Sequence, residues 1–545
     1  MLAWTIYISF IGVAWLLLLR PDDARGARTV AMLSAVGGLL VSLIGALRYK
    51  PADGLATVVD VAWVSQLGIR FNLAVDGISI VLVLLTGLAA VVGVLFSWNV
   101  EHRAKEFFAF YLALIGGVYG VFLSFDLFLL FVFYELAIVP KYFLIAIWGS
   151  TRREYGAMKL ALYSFVGSAM VLIGLIAAYV VAGANPGNFP FDVPITGEGT
   201  FSLVELAQYP FPREFQMWAF PLVFVGFGIL AGLWPFHTWA PTGHVAAPTA
   251  ASMLLAGVIM KLGAYGCLRV AMVLFPQGLN DWASPVLGFS SWREIFGLLA
   301  MVGIVYGAMV ALVQKDFKFV IGYSSVSHMG FVLLGLMTLS AIGLSGAVLQ
   351  MFSHGVIAGL LFGVVGRMVY DRTHTRVLDE LEGMRLNKSI PFAAVTFVVA
   401  GLASMGMPGF SGFVAEFQVL IGAWKAFPTF AVLAGFGVLL GVAYTLRAIQ
   451  KSFFSGAAMA EETIVVGAAA GAGGAMGGSV EVRTKRHEGR QTHLLADISI
   501  PERIGAGILI GTTVVIGLYP RLLLDLIVPA LNSPLMEKLL KGGGA

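Results

Sequence analysis

Apolar runs of about 20 residues recur along nearly the whole chain, and no other feature constrains the fold as tightly. A helix rises 1.5 Å per residue, so a run of about 20 apolar residues crosses the hydrocarbon of a bilayer. About fourteen such runs are legible, from Leu2–Leu19 to Ile504–Ile527. Only 12% of the 545 residues are charged and 59% are hydrophobic. A soluble domain carries about 25% charged residues, so too little polar surface remains to cover a water-soluble globule. The 66 glycines fit close helix–helix approach in lipid. The expected class is an all-α polytopic membrane protein.

Charge and cysteine usage exclude several function classes. The net charge is +4, and the basic residues lie between apolar runs rather than in one patch, which argues against nucleic acid as a partner. The single cysteine, Cys267, holds no iron–sulfur cluster, Cys-based zinc site or internal disulfide. The chain is therefore expected to carry no cofactor, metal or redox centre of its own.

Basic residues orient the spans. Met1 to Leu19 lacks a basic leader region, and Arg20, Arg25 and Arg28 follow it, as suits a first span with its N-terminus outside. On that basis the inner loops gather Arg103 and Lys105, Arg152, Arg153 and Lys159, Lys315 and Lys318, and Arg372 to Lys388. The outer loops hold fewer, and the bias fits both ends outside; the expected location is a bacterial inner membrane. Gly467–Ser479 reads GAAAGAGGAMGGS and is followed by charged sequence to Arg490, a pattern of flexible loop.

Two runs are interrupted. AGLWPFHTWAPTGHVAAPTAAS carries Pro235, Pro241 and Pro248, and ASMGMPGFSGFVAEF carries Pro408 between Gly406 and Gly409. Proline removes a backbone donor, and freed carbonyls persist in lipid only where protein or water satisfies them. Ordinary helix kinks would look the same. Breaks at matching places in two halves, however, point to a repeat transporter. The breaks fall in the fourth span of each of two five-helix sets. The expected division is residues 1–107, an N-terminal three-helix segment; 108–275 and 290–451, two inverted five-helix repeats; 452–503, a flexible cytoplasmic loop; and 504–545, the last helix and tail.

Ionisable residues inside apolar runs are the candidate site. Each costs about 2.5–3.5 kcal/mol at a helix centre on insertion scales, so each is a functional hypothesis by default. Glu135, Lys261, His328, His354 and Glu416 form a series of carboxylate, lysine, histidine, histidine and carboxylate. Such groups hand protons along a membrane interior, and each changes its neighbour's proton affinity. A static ion pair for Glu135 and Lys261, and a simple interhelical hydrogen bond for either histidine, are the competing readings.

The stretches YELAIVPKYFLIAIWG, PFHTWAPTGHVAAPTAASMLLAGVIMKLGAYG, QKDFKFVIGYSSVSHMGFVLLG and GLASMGMPGFSGFVAEF resemble the antiporter-like membrane subunits of complex I, the respiratory NADH–quinone oxidoreductase. The resemblance runs from about Phe71 to Lys451. Glu416 in the broken twelfth span resembles the M chain (mitochondrial subunit 4), whereas L and N chains usually carry lysine there. The resemblance implies that Glu135 gates proton loading, Lys261 is the central carrier, His328 and His354 connect it onward, and Glu416 is the terminal carboxylate. It also implies L- and N-type neighbours in the membrane, and a peripheral redox arm that oxidises NADH and reduces quinone.

Two departures stand out. Members usually place a lysine shortly before the PFH, where this chain has Leu230; the acidic residue usual before the second histidine is Thr242. Lys141, in contrast, enters the fifth span. It either snorkels toward the cytoplasmic surface or, with the kink expected at Pro140, modulates Glu135 in place of the absent lysine. The alternative functions are a D-type subunit of a multisubunit cation/proton antiporter, and a structural subunit that no longer pumps.

Overall fold

A computed structural model describes residues 1–184, 199–280, 288–455 and 495–541. The helices in chain order are α1 (Trp4–Leu18), α2 (Ala24–Arg48), α3 (Gly77–Phe96), α4 (Ala104–Leu123), α5 (Leu127–Trp148) and α6 (Arg153–Ala184). They continue with α7 (Arg213–Ala231), α8 (Thr249–Met272), α9 (Trp292–Val313), α10 (Phe317–Met337) and α11 (Ala341–Thr373). The last are α12 (Pro391–Ser404), α13 (Ser411–Ala426), α14 (Pro428–Phe454), α15 (Ile500–Leu518), α16 (Arg521–Leu531) and α17 (Pro534–Lys541). Among the described residues, 12 helical stretches are long and apolar enough to cross a membrane. The first run falls on the shorter α1, and the twelfth on the pair α12 and α13.

Short polar side chains begin these helices by accepting the backbone N–H groups that have no intrahelical partner. Asp76 accepts from Ser79 N–H at 2.9 Å to start α3, and Asp126 from Leu129 N–H at 2.9 Å to start α5. Asp316 accepts from Lys318 N–H at 2.8 Å to start α10, and Ser340 from Gly343 N–H at 3.1 Å to start α11. The apolar windows of α8 and α11 are 100% buried and those of α3 and α10 83%, against 28% for α14 and 33% for α15. The helices that carry Lys261, His328 and His354 are thus the innermost, and the outer ones present apolar faces to lipid or to other membrane chains.

The described part is mostly helical, as the run pattern implies, with two differences in detail. A hairpin of β1 (Ala56–Val64) and β2 (Ile69–Val75) pairs antiparallel between α2 and α3, turning at Gly68 with φ +66°. Its strands are too short to register as apolar spans. The last run, Ile504–Ile527, is not one helix. It breaks at Tyr519 before Pro520, because the proline ring pushes the preceding residue out of the helical region, here to φ −132° and ψ 70°. The glycine-rich segment 467–490 lies outside the described residues.

Candidate functional site

Lys261 sits at the centre of α8 and is 0% exposed. The helix widens into π turns on both sides of it, over Leu255–Ile259 and Cys267–Met272. A π turn displaces the regular hydrogen-bond ladder, and the Ala256 carbonyl within it accepts from Lys261 Nζ. The same ammonium nitrogen lies 2.8 Å from Nδ1 of His354 on α11.

From His354 the arrangement continues across the bundle. Its ring lies 5.5 Å, centroid to centroid, from that of His328 on α10. His328 Nδ1 is 2.8 Å from Glu416 Oε1 on α13, and its Nε2 is 3.1 Å from the Ser404 hydroxyl at the end of α12. Gln350 Nε2 donates to the same Glu416 oxygen at 3.1 Å. Lys261, His354, His328 and Glu416 therefore form one continuous buried row on four helices.

The second helix break shapes the far end of the row. Between α12 and α13 the chain turns through Gly406 at φ +70° and Gly409 at φ +99°, values that glycine adopts without steric penalty. A Cβ on Gly406 would stand 3.1 Å from Glu416 Oε2, so the bare glycine also makes room for the carboxylate. The first break follows α7, where Gly232 takes φ +84°. Beyond it His237 and His244 are buried, and no side-chain hydrogen bond of either ring is found among the described residues.

Glu135 and Lys141 form a separate pair of charges on α5, outside that row. Glu135 is half-buried, and its Oε1 is buried without a hydrogen-bond partner. Lys141 is 1% exposed and donates to the Ser164 hydroxyl of α6 at 3.2 Å. The snorkelling alternative for Lys141 is thereby overturned: its ammonium turns inward to a hydroxyl, not outward to the membrane surface. Leu230, in the place of the usual seventh-span lysine, is buried in α7.

Several contributors were not singled out from the sequence. His237 and His244 stood inside a quoted motif, and Gln350 lies one turn before His354, a polar residue in an apolar run. Lys318 was counted as a loop cation, yet it is buried and donates to the Ala247 carbonyl at 3.1 Å. Arg269, near the end of α8, is fully buried and bonds to Asp76 at the start of α3. Among the described residues no group of three or more His, Cys, Asp or Glu is placed to hold a metal ion.

A polytopic helical protein with broken spans and a buried row of ionisable groups is of the antiporter-like membrane class. Residues 124–441 match the family described as NADH:quinone oxidoreductase/Mrp antiporter, transmembrane. The chain is 35% identical over 518 residues to NADH-quinone oxidoreductase subunit M of Rhodobacter capsulatus, covering 94% of this chain and 90% of that one. It is 36% identical to subunit M of Pseudomonas aeruginosa, over 85% of this chain and 89% of the relative. A chain of respiratory complex I from Thermus thermophilus superposes with a TM-score of 0.80 at 27% identity, covering 100% of both. A chain of the Mrp complex from Dietzia sp., at 20% identity and a TM-score of 0.77 with 100% and 99% covered, shares the fold. This chain belongs to the NADH-quinone oxidoreductase subunit M family.

Proposed function

We propose that the chain is the proton-translocating M-type membrane subunit of a complex I-like NADH–quinone oxidoreductase. The observation that carries this reading is the buried row Lys261–His354–His328–Glu416. Lys261 is the central proton carrier. With Lys261 as donor to His354 Nδ1, the ring proton sits at Nε2, a buried atom with no protein partner. That free end is available for the next transfer, in which His328 and then Glu416 are the acceptors. The unpartnered Gln350 Oε1, Ser325 Oγ and Ser353 Oγ give water sites in the same interior.

In this reading the chain holds no redox centre or cofactor, and quinone reduction takes place in partner subunits. Its neighbours are the L- and N-type membrane chains, and the peripheral arm acts from a distance. The N-terminus faces outside, the membrane is the bacterial inner membrane, and the two broken spans belong to inverted five-helix repeats. Glu416 at the second break and the 35% identity to a subunit M favour this reading over a stand-alone antiporter subunit.

Proton-to-electron stoichiometry of the intact complex in proteoliposomes tests it. Lys261→Ala is expected to leave the complex assembled and to lower that ratio. Lys261→Arg is expected to behave the same way, because a guanidinium does not release its proton. An unchanged ratio in both variants removes Lys261 from the path.

A further inference from the structure

Among the buried charges outside the row described above are Glu135 and Lys141. Both lie on α5, six residues apart, which is about 9 Å along a helix axis. An ion in the membrane interior is expensive and is retained where it does something. Glu135 Oε1 is buried without a hydrogen-bond partner among the described residues. The Lys141 ammonium, enclosed at 1% exposure, is held by one hydroxyl, that of Ser164 at 3.2 Å. Each of the two charges acts electrostatically on the other, and no direct ion pair joins them among the described residues.

What lies between them is the face of α6. Ser164 and Ser168 are both buried and one turn apart, so their hydroxyls share one side of that helix. Ser164 accepts from Lys141, and Ser168, whose hydroxyl donates to the Phe165 carbonyl at 3.2 Å, interacts with the Glu135 carboxyl. The order along the α5–α6 interface is therefore ammonium, hydroxyl, hydroxyl, carboxylate. A static salt bridge would bring the two charges into contact. This arrangement holds them one relay length apart, each beside a group that both donates and accepts.

We propose that Lys141, Ser164, Ser168 and Glu135 form a proton-loading relay along the α5–α6 interface, feeding the path whose centre is Lys261. The inference rests on the proton-translocation reading above. In the transfer an N–H bond of the Lys141 ammonium breaks and an O–H bond forms on the Glu135 carboxylate. Each serine hydroxyl takes one proton as it passes one on, with a water spanning the turn between them. The products are a neutral amine and a neutral carboxylic acid, so two buried charges disappear in one step. Release of the Glu135 proton toward the Lys261 path, and uptake of a new proton by Lys141 from its end of α5, reset the relay. Lys141 and Glu135 carry the proton, and the two serines are positioning and relay groups.

The test uses the intact complex in proteoliposomes, with assembly followed by complex content and proton-to-electron ratio as the readout. Lys141→Met is expected to lower proton translocation about tenfold or more, the scale of a lost acid–base group. Lys141→Arg is expected to be as poor, which separates proton exchange from a fixed charge. Ser164→Ala is expected to fall between wild type and Lys141→Met, while Ser164→Thr, which keeps the hydroxyl, restores the ratio. The double variant Lys141→Met/Glu135→Gln is expected to be no worse than either single change, because the groups act as one unit. Normal pumping in Lys141→Arg, or equal behaviour of Ser164→Ala and wild type, overturns the relay. If Lys141→Met does not assemble, the two Ser164 variants decide. Lys261→Ala is measured in parallel: if it pumps poorly while the Lys141 variants pump normally, this inference alone falls, and if it too pumps normally the underlying reading falls.

Discussion

Glu416→Gln separates structure from proton chemistry most cleanly. The native carboxylate oxygen Oε1 stands 2.8 Å from His328 Nδ1 and 3.1 Å from Gln350 Nε2. A glutamine oxygen occupies the same place and accepts from the same donors. The loss is charge assistance, about 1 kcal/mol for each of two hydrogen bonds and so about 2 kcal/mol at most. That is small for a buried site in a large helical bundle, and the complex is expected to assemble normally. The amide does not ionise, however, so the last proton acceptor of the row is gone. Loss of a positioned acid–base group costs about 10²- to 10⁴-fold, or about 3–5 kcal/mol in the transfer barrier. The assay is the initial rate of proton uptake by proteoliposomes at matched electron-transfer rate, alongside complex content in the membrane. The expected result is normal content with a proton-to-electron ratio below wild type. A normal ratio in an assembled Glu416→Gln complex refutes the argument and leaves the carboxylate as a mere acceptor for His328 and Gln350.

Three further outcomes are expected. His354→Leu keeps the volume roughly constant but breaks the row between Lys261 and His328, so proton translocation should fall by about 10²-fold or more with assembly retained, as read in the same vesicles. Arg269→Met strands the Asp76 carboxylate in a buried site and should cost about 3–5 kcal/mol of stability, seen as a lower thermal inactivation temperature; the double change Arg269→Met/Asp76→Leu should be milder, because no lone charge remains. Asp126, buried at the start of α5, has its carboxyl pushed up to about 6 by desolvation against an ordinary 3.8. The native state therefore binds the extra proton between those values, and stability should decline by at most about 3 kcal/mol as pH rises from about 4 to about 6, then level off. Asp126→Asn should flatten that dependence in a pH series of thermal inactivation.

Much of this was legible from the chain because membrane burial makes ionisable residues conspicuous. Glu135, Lys261, His328, His354 and Glu416 each interrupt an apolar run, and four of the five meet in one row. The breaks at Gly232 and Gly406 were announced by proline and glycine. Position along the chain did not reveal depth near helix ends. Lys318 follows the Asp316 cap and looks like a loop cation, yet it lies beneath the surface of the bundle because α8 begins beside it. Six positions at about 100° each put Lys141 on a different face of α5 from Glu135, but that spacing could not say that α6 would meet it with Ser164. The hairpin escaped because its strands lack length, and the bend at Pro520 because an apolar run continues through it.

The way this protein houses its cations bears on which of them discharge. Lys105 donates to the Leu17 and Leu19 carbonyls at 2.9 and 2.8 Å, and Arg293 to those of Met337 and Thr338 at 2.8 Å each. Arg447 reaches the Leu312 and Gln314 carbonyls, and Lys538 those of Ala207 and Gln208. These are ends of α1, α10, α9 and the short helix Leu203–Gln208, where unpaired carbonyls and the negative end of the helix dipole favour a cation. Lys261 instead lies inside α8, and its carbonyl partner, Ala256, belongs to the adjoining π turn. The difference from Arg269 is one of charge. When an ammonium held by neutral groups gives up its proton, no net charge is left behind. When a cation paired with a carboxylate does so, a bare anion remains buried, at a cost of several kcal/mol. Lys261, between the Ala256 carbonyl and the His354 ring, would therefore release a proton without stranding a charge, whereas Arg269 beside Asp76 would not.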